Sequence, residues 1–178
     1  RSTSSLFEPD SELMARFQNL EELARVIRSY QVDTVRLDDV PEVHGADLIK
    51  IDVQGAELMV IEHGNETLSS ATVAIIEVSF VQLYKGQPFF SDIDVAMRDR
   101  GFILNRLAPA GRAFKPMILG GNINASSQHL WGDAVYVRNF MRLETLAPST
   151  LLKMAAILHE TTNSCDLAAV ALQAYDLA

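Results

Sequence analysis

The pattern of apolar and polar positions changes most sharply at Leu48-Ile49-Lys50-Ile51-Asp52-Val53-Gln54-Gly55-Ala56-Glu57. Leu48, Ile49, Ile51 and Val53 form the short aliphatic run expected of a buried parallel strand. Gly55 permits a tight turn, after which Leu58, Ile61 and Glu62 fall at amphipathic-helix spacing, with His63-Gly64 as the stop. The stretch therefore predicts a strand feeding a helix. In open α/β sheets, ligands sit outside the carboxyl ends of the strands, which makes Asp52, Gln54 and Glu57 candidates for chemistry. A plainer reading has Asp52 capping the helix and Glu57 facing its dipole.

Along the rest of the chain, Leu13, Met14, Phe17, Leu20 and Leu23 fall at three- and four-residue spacings and predict one or two short helical turns. Residues 24–37 are ambiguous. Glu22, Arg25, Val26 and Arg28 suit a helix, whereas Val26, Arg28, Tyr30, Val32, Thr34 and Arg36 alternate like one face of a strand. Thr72 to Phe80 is a second buried strand rich in β-branched residues. It contains Glu77, an acid that belongs at the strand's carboxyl end beside Asp52 and Glu57, either as a working group or as a satisfied structural carboxylate.

Tyr84-Lys85-Gly86-Gln87-Pro88-Phe89-Phe90 reads as a turn flanked by aromatics, a lid or pocket wall in which the two phenylalanines pack into the core. Asp92 to Arg100 is helical and is ended by Gly101, and Phe102-Ile103-Leu104 starts a third strand. Residues 108–130, with Gly120-Gly121-Asn122, form a long irregular loop before a last strand over Ala134 to Arg138, and His129, Trp131 and Asp133 could face the pocket. His129 alone is no metal signal, because no second histidine or cysteine stands at ligand spacing. The tail changes character: Leu151 to Leu158 and Leu167 to Tyr175 read as two helices paired as a hairpin, with starting signals at Pro148-Ser149 and Asn163-Ser164. The hairpin is expected to pack on the α/β body or on another subunit.

Composition narrows the function classes. With 178 residues, 48% hydrophobic and 21% charged, the chain has room for one domain with a real core plus an appendage. A formal charge of -8 and a pI near 4.9 argue against a nucleic-acid backbone as partner and suit a neutral or cationic small substrate. The single cysteine, Cys165, forms no internal disulfide, no apolar stretch is long enough to span a membrane, and no secretory segment is visible, so a cytoplasmic location is the expectation. The sequons Asn65-Glu66-Thr67 and Asn124-Ala125-Ser126 stand without other signs of secretion. The absence of an initial Met favours a fragment or a processed product.

Lys50-Ile51-Asp52-Val53-Gln54-Gly55-Ala56-Glu57, with Leu37-Asp38-Asp39-Val40 before it and Glu77-Val78-Ser79-Phe80-Val81-Gln82-Leu83-Tyr84-Lys85-Gly86-Gln87-Pro88-Phe89-Phe90 after it, resembles the FkbM family of S-adenosylmethionine-dependent methyltransferases. Gly101-Phe102 and Trp131-Gly132-Asp133-Ala134-Val135-Tyr136-Val137-Arg138 continue the resemblance, which spans residues 1–140 and leaves 141–178 as a helical appendage. It implies an α/β fold with a Rossmann-like class I methyltransferase sheet. That sheet would be partial: the family's first strand and glycine-rich cofactor loop are expected ahead of residue 1, and none of the nine glycines here forms Gly-x-Gly-x-x-Gly. The resemblance also tips residues 24–37 toward strand.

The implied reaction is methyl transfer from S-adenosylmethionine to a hydroxyl of a small molecule, such as a sugar or another secondary metabolite. On matching positions, Asp52 would order the acceptor or the methyl end and Glu77 would assist. Gln54 and Glu57 would hold substrate or shape the turn, Tyr84 would line the pocket, and Lys50 would point into neighbouring structure. No cofactor-binding residues are assigned and no metal is called for. Two other classes remain open. One is a catalytically silent module that forms partners or a homodimer through the C-terminal helices or an exposed sheet edge. The other is a magnesium-dependent hydrolase built on Asp52, Glu57 and Glu77.

Overall fold

The computed structural model describes residues 3–117, 122–124 and 126–178. Gly120 and Gly121 of the expected loop, and Ala125 of the second sequon, lie outside the described residues. Two short helices, α1 (Ser11–Met14) and α2 (Leu20–Leu23), open the chain, and single 3-10 turns follow at Leu37–Asp39 and Pro41–Val43. Then come β1 (Leu48–Ile51), α3 (Glu57–Glu62), α4 (Asn65–Ser70), β2 (Val73–Ser79), α5 (Phe90–Asp99), β3 (Phe102–Ala110) and β4 (Trp131–Arg138). A 3-10 segment at Phe140–Thr145 leads to α6 (Pro148–Glu160) and α7 (Cys165–Asp176).

The strands form one open four-stranded sheet in the order β1-β2-β4-β3, with β1 parallel to β2 and β4 antiparallel to both of its neighbours. Because β2 is central, both of its faces are apolar. Ala74, Ile76 and Val78 pack with Ile61, Leu68, Ile93 and Met97 from α3, α4 and α5. Val73 and Ile75 pack on the opposite face with Leu151, Met154 and Leu158 of α6 and with Leu167, Ala168 and Ala171 of α7. Alternation along a strand thus builds a helix–sheet–helix sandwich. A third cluster, of Met14, Phe17, Leu20, Leu83, Tyr84 and Leu130, binds the N-terminal residues to the loop after β2.

Two expectations are corrected. Residues 25–36 form no strand; they have no regular secondary structure, and Val26, Ile27, Tyr30, Val32 and Val35 are 58–75% exposed. An alternating pattern makes a strand only where a neighbour takes its backbone hydrogen bonds, and none does so here. The loop expected from residue 108 begins later, because the strand that Phe102 starts runs on through Pro109 to Ala110. β3 is an edge strand, where a proline's missing N–H leaves no ladder position empty.

Arg138 at the end of β4 fastens the layers together. Its Nε donates to the Ala71 carbonyl (2.8 Å), its Nη1 to that of Arg100 (2.8 Å), and its Nη2 to those of Leu68 (2.6 Å) and Ser69 (2.7 Å). The guanidinium lies 4.3 Å over the Phe102 ring. The carbonyls at the ends of α4 and α5 would otherwise go unpaired, and the rigid guanidinium fork serves them together. Burial pushes the Arg138 pKa down, yet it remains a cation. Arg138→Lys, which keeps the charge but loses the fork, is expected to destabilise the fold by about 2 kcal/mol. Urea denaturation checks this, and an unchanged midpoint would refute the fastening role.

Candidate active site at the strand ends

The parallel register pairs Ile51 with Ile76, so the next residues, Asp52 and Glu77, emerge side by side beyond the core. Glu77 in turn pairs with Asp133 on β4. Three carboxylates therefore stand in a row across three adjacent strands, on the sheet face opposite Ile51, Ile76 and Ala134. Lys50 lies on the same face one pleat back. Its Nζ donates to Asp133 Oδ1 at 2.8 Å and stands 3.9 Å from Asp52 Oδ2, so it joins the acid row itself.

The turn after β1 is built on an unusual backbone. Gln54 adopts φ 54° and Gly55 φ 110°. A non-glycine residue in the left-handed region costs on the order of 1 kcal/mol and persists only where its surroundings enforce it. The buried Glu57 carboxylate supplies part of that enforcement: Oε1 accepts from Val53 N (2.9 Å) and Gly55 N (3.2 Å), and Oε2 accepts from Gly55 N (3.0 Å). The positive φ is what calls for glycine at position 55, since a Cβ there would meet the Tyr84 ring at 3.4 Å and the Phe7 ring at 3.5 Å, ordinary contact distances.

The Gln54 side chain then spans the site. Its Nε2 donates to Asp52 Oδ1 at 2.8 Å and to Glu77 Oε2 at 2.7 Å, while its Oε1 accepts from the Tyr84 hydroxyl at 3.1 Å. The structure thus brings together Asp52, Gln54, Glu57, Glu77 and Tyr84. Burial and the nearby negative charges of Asp52, Glu57 and Asp133 push the Glu77 pKa up to about 8. At neutral pH Glu77 is therefore mostly protonated. Burial is also the chief cause that raises the Tyr84 pKa, so its phenol remains a donor.

Among the described residues, Asp52, Glu57 and Glu77 can bring ligand atoms within 4.8 Å of one another. Both Glu57 oxygens accept from the turn amides, and one oxygen each of Asp52 and Glu77 accepts from the Gln54 amide that lies between them. That arrangement suits a hydrogen-bonded pair better than a cation cage.

Three contributors were not assigned from sequence. Asp133 was placed only as facing the pocket, although its parity opposite Glu77 in β4 carries the signal. Gln87 is buried and shapes the lid, with Oε1 accepting from Tyr84 N (3.2 Å) and Nε2 donating to Ser79 Oγ (2.7 Å). Ser5 donates to the Gln54 carbonyl at 2.6 Å, a contact across 49 residues that no local pattern announces. The His129 ring lies 6.0 Å from that of Phe80. Phe90 packs against the core, and Phe89 is 40% exposed rather than buried with it.

A mixed α/β chain with an open sheet and carboxylates at the ends of its parallel strands is consistent with a methyltransferase-like fold. Residues 2–104, more than half of the chain, match the methyltransferase FkbM domain, and the chain belongs to that family. The match contains β1, β2, the strained turn and Tyr84, and it ends within β3, short of β4 and the C-terminal helices. No curated protein and no solved structure gives a significant match.

The raised Glu77 pKa has a consequence for stability. In the unfolded chain Glu77 ionises near pH 4.5, and in the folded one near 8, so the folded state binds the extra proton between those values. Its contribution is fully favourable below pH 4.5, declines as pH rises, and is lost above pH 8. Glu77→Gln is therefore expected to be more stable than the parent at pH 9, by on the order of 2 kcal/mol once solvent screening at this strand end is discounted, with the gap closing toward pH 5. Thermal melts at both pH values check this, and a gap independent of pH would contradict it.

Proposed function

We propose that this chain carries the acceptor side of an S-adenosylmethionine-dependent methyltransferase that methylates a hydroxyl on a small molecule such as a sugar or another secondary metabolite. The observation that supports the reading is Asp52 and Glu77 abreast at the carboxyl ends of adjacent parallel strands, within the segment that matches the FkbM domain. The strand order β1-β2-β4-β3, with its parallel pair and antiparallel insert, supports reading the sheet as part of a Rossmann-like methyltransferase sheet. On this reading residues 1–140 are the methyltransferase part and 141–178 its helical appendage.

The donor set suits the cofactor. A sulfonium is a cation, and the strand ends present Asp52 and Asp133 with only Lys50 as a counter-charge, already engaged by Asp133. Asp52 and the mostly protonated Glu77 would face it. When bound, S-adenosylmethionine supplies an electrophilic methyl group. The chain's own residues do the rest. Asp52 would accept the acceptor's hydroxyl proton when that oxygen takes the methyl group, the electron pair of the broken sulfur–methyl bond leaving with S-adenosylhomocysteine, and the protonated Glu77 would donate to Asp52 and keep it oriented. Gln54 fixes the spacing of the pair, and Tyr84 fixes Gln54. Asp133 and Lys50 set the charge at the rim, and an acceptor that is neutral or cationic meets the least repulsion.

One observation favours a second reading, a catalytically silent module that recruits partners: the outer edge of β1 pairs with no strand among the described residues. A partner would meet this edge or the C-terminal helices; no helix among the described residues is long and apolar enough to cross a membrane.

Calorimetric titration with S-adenosylhomocysteine separates the two readings without knowledge of the acceptor. Micromolar or tighter binding is expected for the methyltransferase, whereas no binding combined with a concentration-dependent dimer would favour the module. In an active preparation, Asp52→Asn is expected to lower turnover by about 100-fold or more while the fold is retained. The same change removes the charge facing Glu77 and should move its titration downward. Wild-type turnover in that variant would sink the role of Asp52.

A further inference from the structure

The N-terminal residues 3–10 lie against the catalytic turn. Pro9 forms an antiparallel bridge with Tyr84, Asp10 N donates to the Leu83 carbonyl (2.9 Å), and Lys85 N donates to that of Glu8 (2.9 Å). Lys85 Nζ adds an ion pair with Glu8 Oε1 at 2.8 Å. Phe7 packs into the same cluster as Tyr84, and its ring approaches Gly55. Within this strap the Ser5 hydroxyl has two partners: Oγ accepts from Phe7 N at 2.9 Å and donates to the Gln54 carbonyl at 2.6 Å.

The second contact matters because of what it holds. The peptide joining Gln54 to Gly55 is pinned at both ends, its N–H by the Glu57 carboxylate and its carbonyl by Ser5. That peptide fixes Gln54 in the left-handed region, from which its amide reaches Asp52 and Glu77 together. Without the Ser5 contact the carbonyl loses its partner and the peptide is held at its N–H alone, so it rotates more easily toward an unstrained geometry that carries the amide away.

We infer that Ser5 is a positioning residue of the candidate active site: through the Gln54–Gly55 peptide it holds the Gln54 amide between Asp52 and Glu77, so that docking of strap 3–10 sets the geometry of the acid pair. The inference rests on the proposed methyltransferase reading for its catalytic meaning and on the geometry alone for the coupling. The groups facing Glu77 are Asp52, Glu57, Asp133, Gln54 and, through Gln54, Tyr84, with Lys50 at the rim. Of these, the Gln54 amide is the donor that favours the ionised carboxylates. Its departure makes ionisation harder.

The test compares the parent with Ser5→Ala and Ser5→Thr, reading the Glu77 titration by carbon-13 carboxyl NMR beside the melting temperature. Ser5→Ala is expected to raise the Glu77 midpoint by about half a pH unit or more, and Ser5→Thr, which keeps the hydroxyl, to restore it. If Ser5→Ala lowers the melting temperature and leaves the titration unmoved, Ser5 is a structural contact only and the inference falls. If both variants shift the titration alike, the hydroxyl is not the cause and it falls equally. Neither outcome depends on S-adenosylhomocysteine binding, which tests the methyltransferase reading separately.

Discussion

The register of one parallel pair governs this molecule. Because Ile51 stands opposite Ile76, the apolar residues of β1 and β2 form a common core layer, and the residues that follow leave that layer together. A shift of one residue would turn Glu77 toward Ile61 and Met97 and expose Ile76 beside Asp52. The same constraint aligns Asp133 through the antiparallel pairing of β4, so the acid row follows from a packing requirement on the residues behind it. Burial of the core and crowding of the carboxylates are two results of one alignment.

Much of this was legible in the sequence. The aliphatic runs of β1 and β2, the turn at Gly55, the short helix after it and the pair of C-terminal helical segments all have local patterns, and local patterns were enough. Asp52 and Glu77 could be named because each ends such a run. The segment around Tyr30 failed for the opposite reason: its alternation describes a strand's side chains, but a strand also needs a partner's backbone. Pro109 concealed the length of β3 because a proline normally argues against a strand, and only the edge position makes it harmless.

The fine structure of the site was not legible. Gln54 is a poor choice for a left-handed position when judged by local preference, and glycine or asparagine would sit there more easily. The glutamine is explained by what its amide touches, and those partners come from β2, from the loop carrying Tyr84 and, through the backbone, from Ser5. For Glu57 the sequence leaves two roles open, holding substrate or shaping the turn, and its two oxygens are taken up by the turn that Gln54 strains. In both cases a residue type that suggests chemistry is engaged by geometry, and strain in the backbone is offset by charge-assisted hydrogen bonds a few ångströms away.

The edge of β1 that pairs with no strand among the described residues, and the exposed apolar side chains between Leu23 and Val35, bear on how this chain behaves in solution. Unpaired backbone and bare β-branched side chains are the two ingredients of intermolecular sheet growth. What opposes it here is long-range repulsion: each molecule carries a formal charge of -8 and so keeps its distance from its copies. That protection is colloidal rather than architectural. Salt at physiological strength confines it to about 8 Å from the surface, and acidification toward the pI near 4.9 removes it. Dilute buffer at or above neutral pH is the condition under which this surface stays monodisperse.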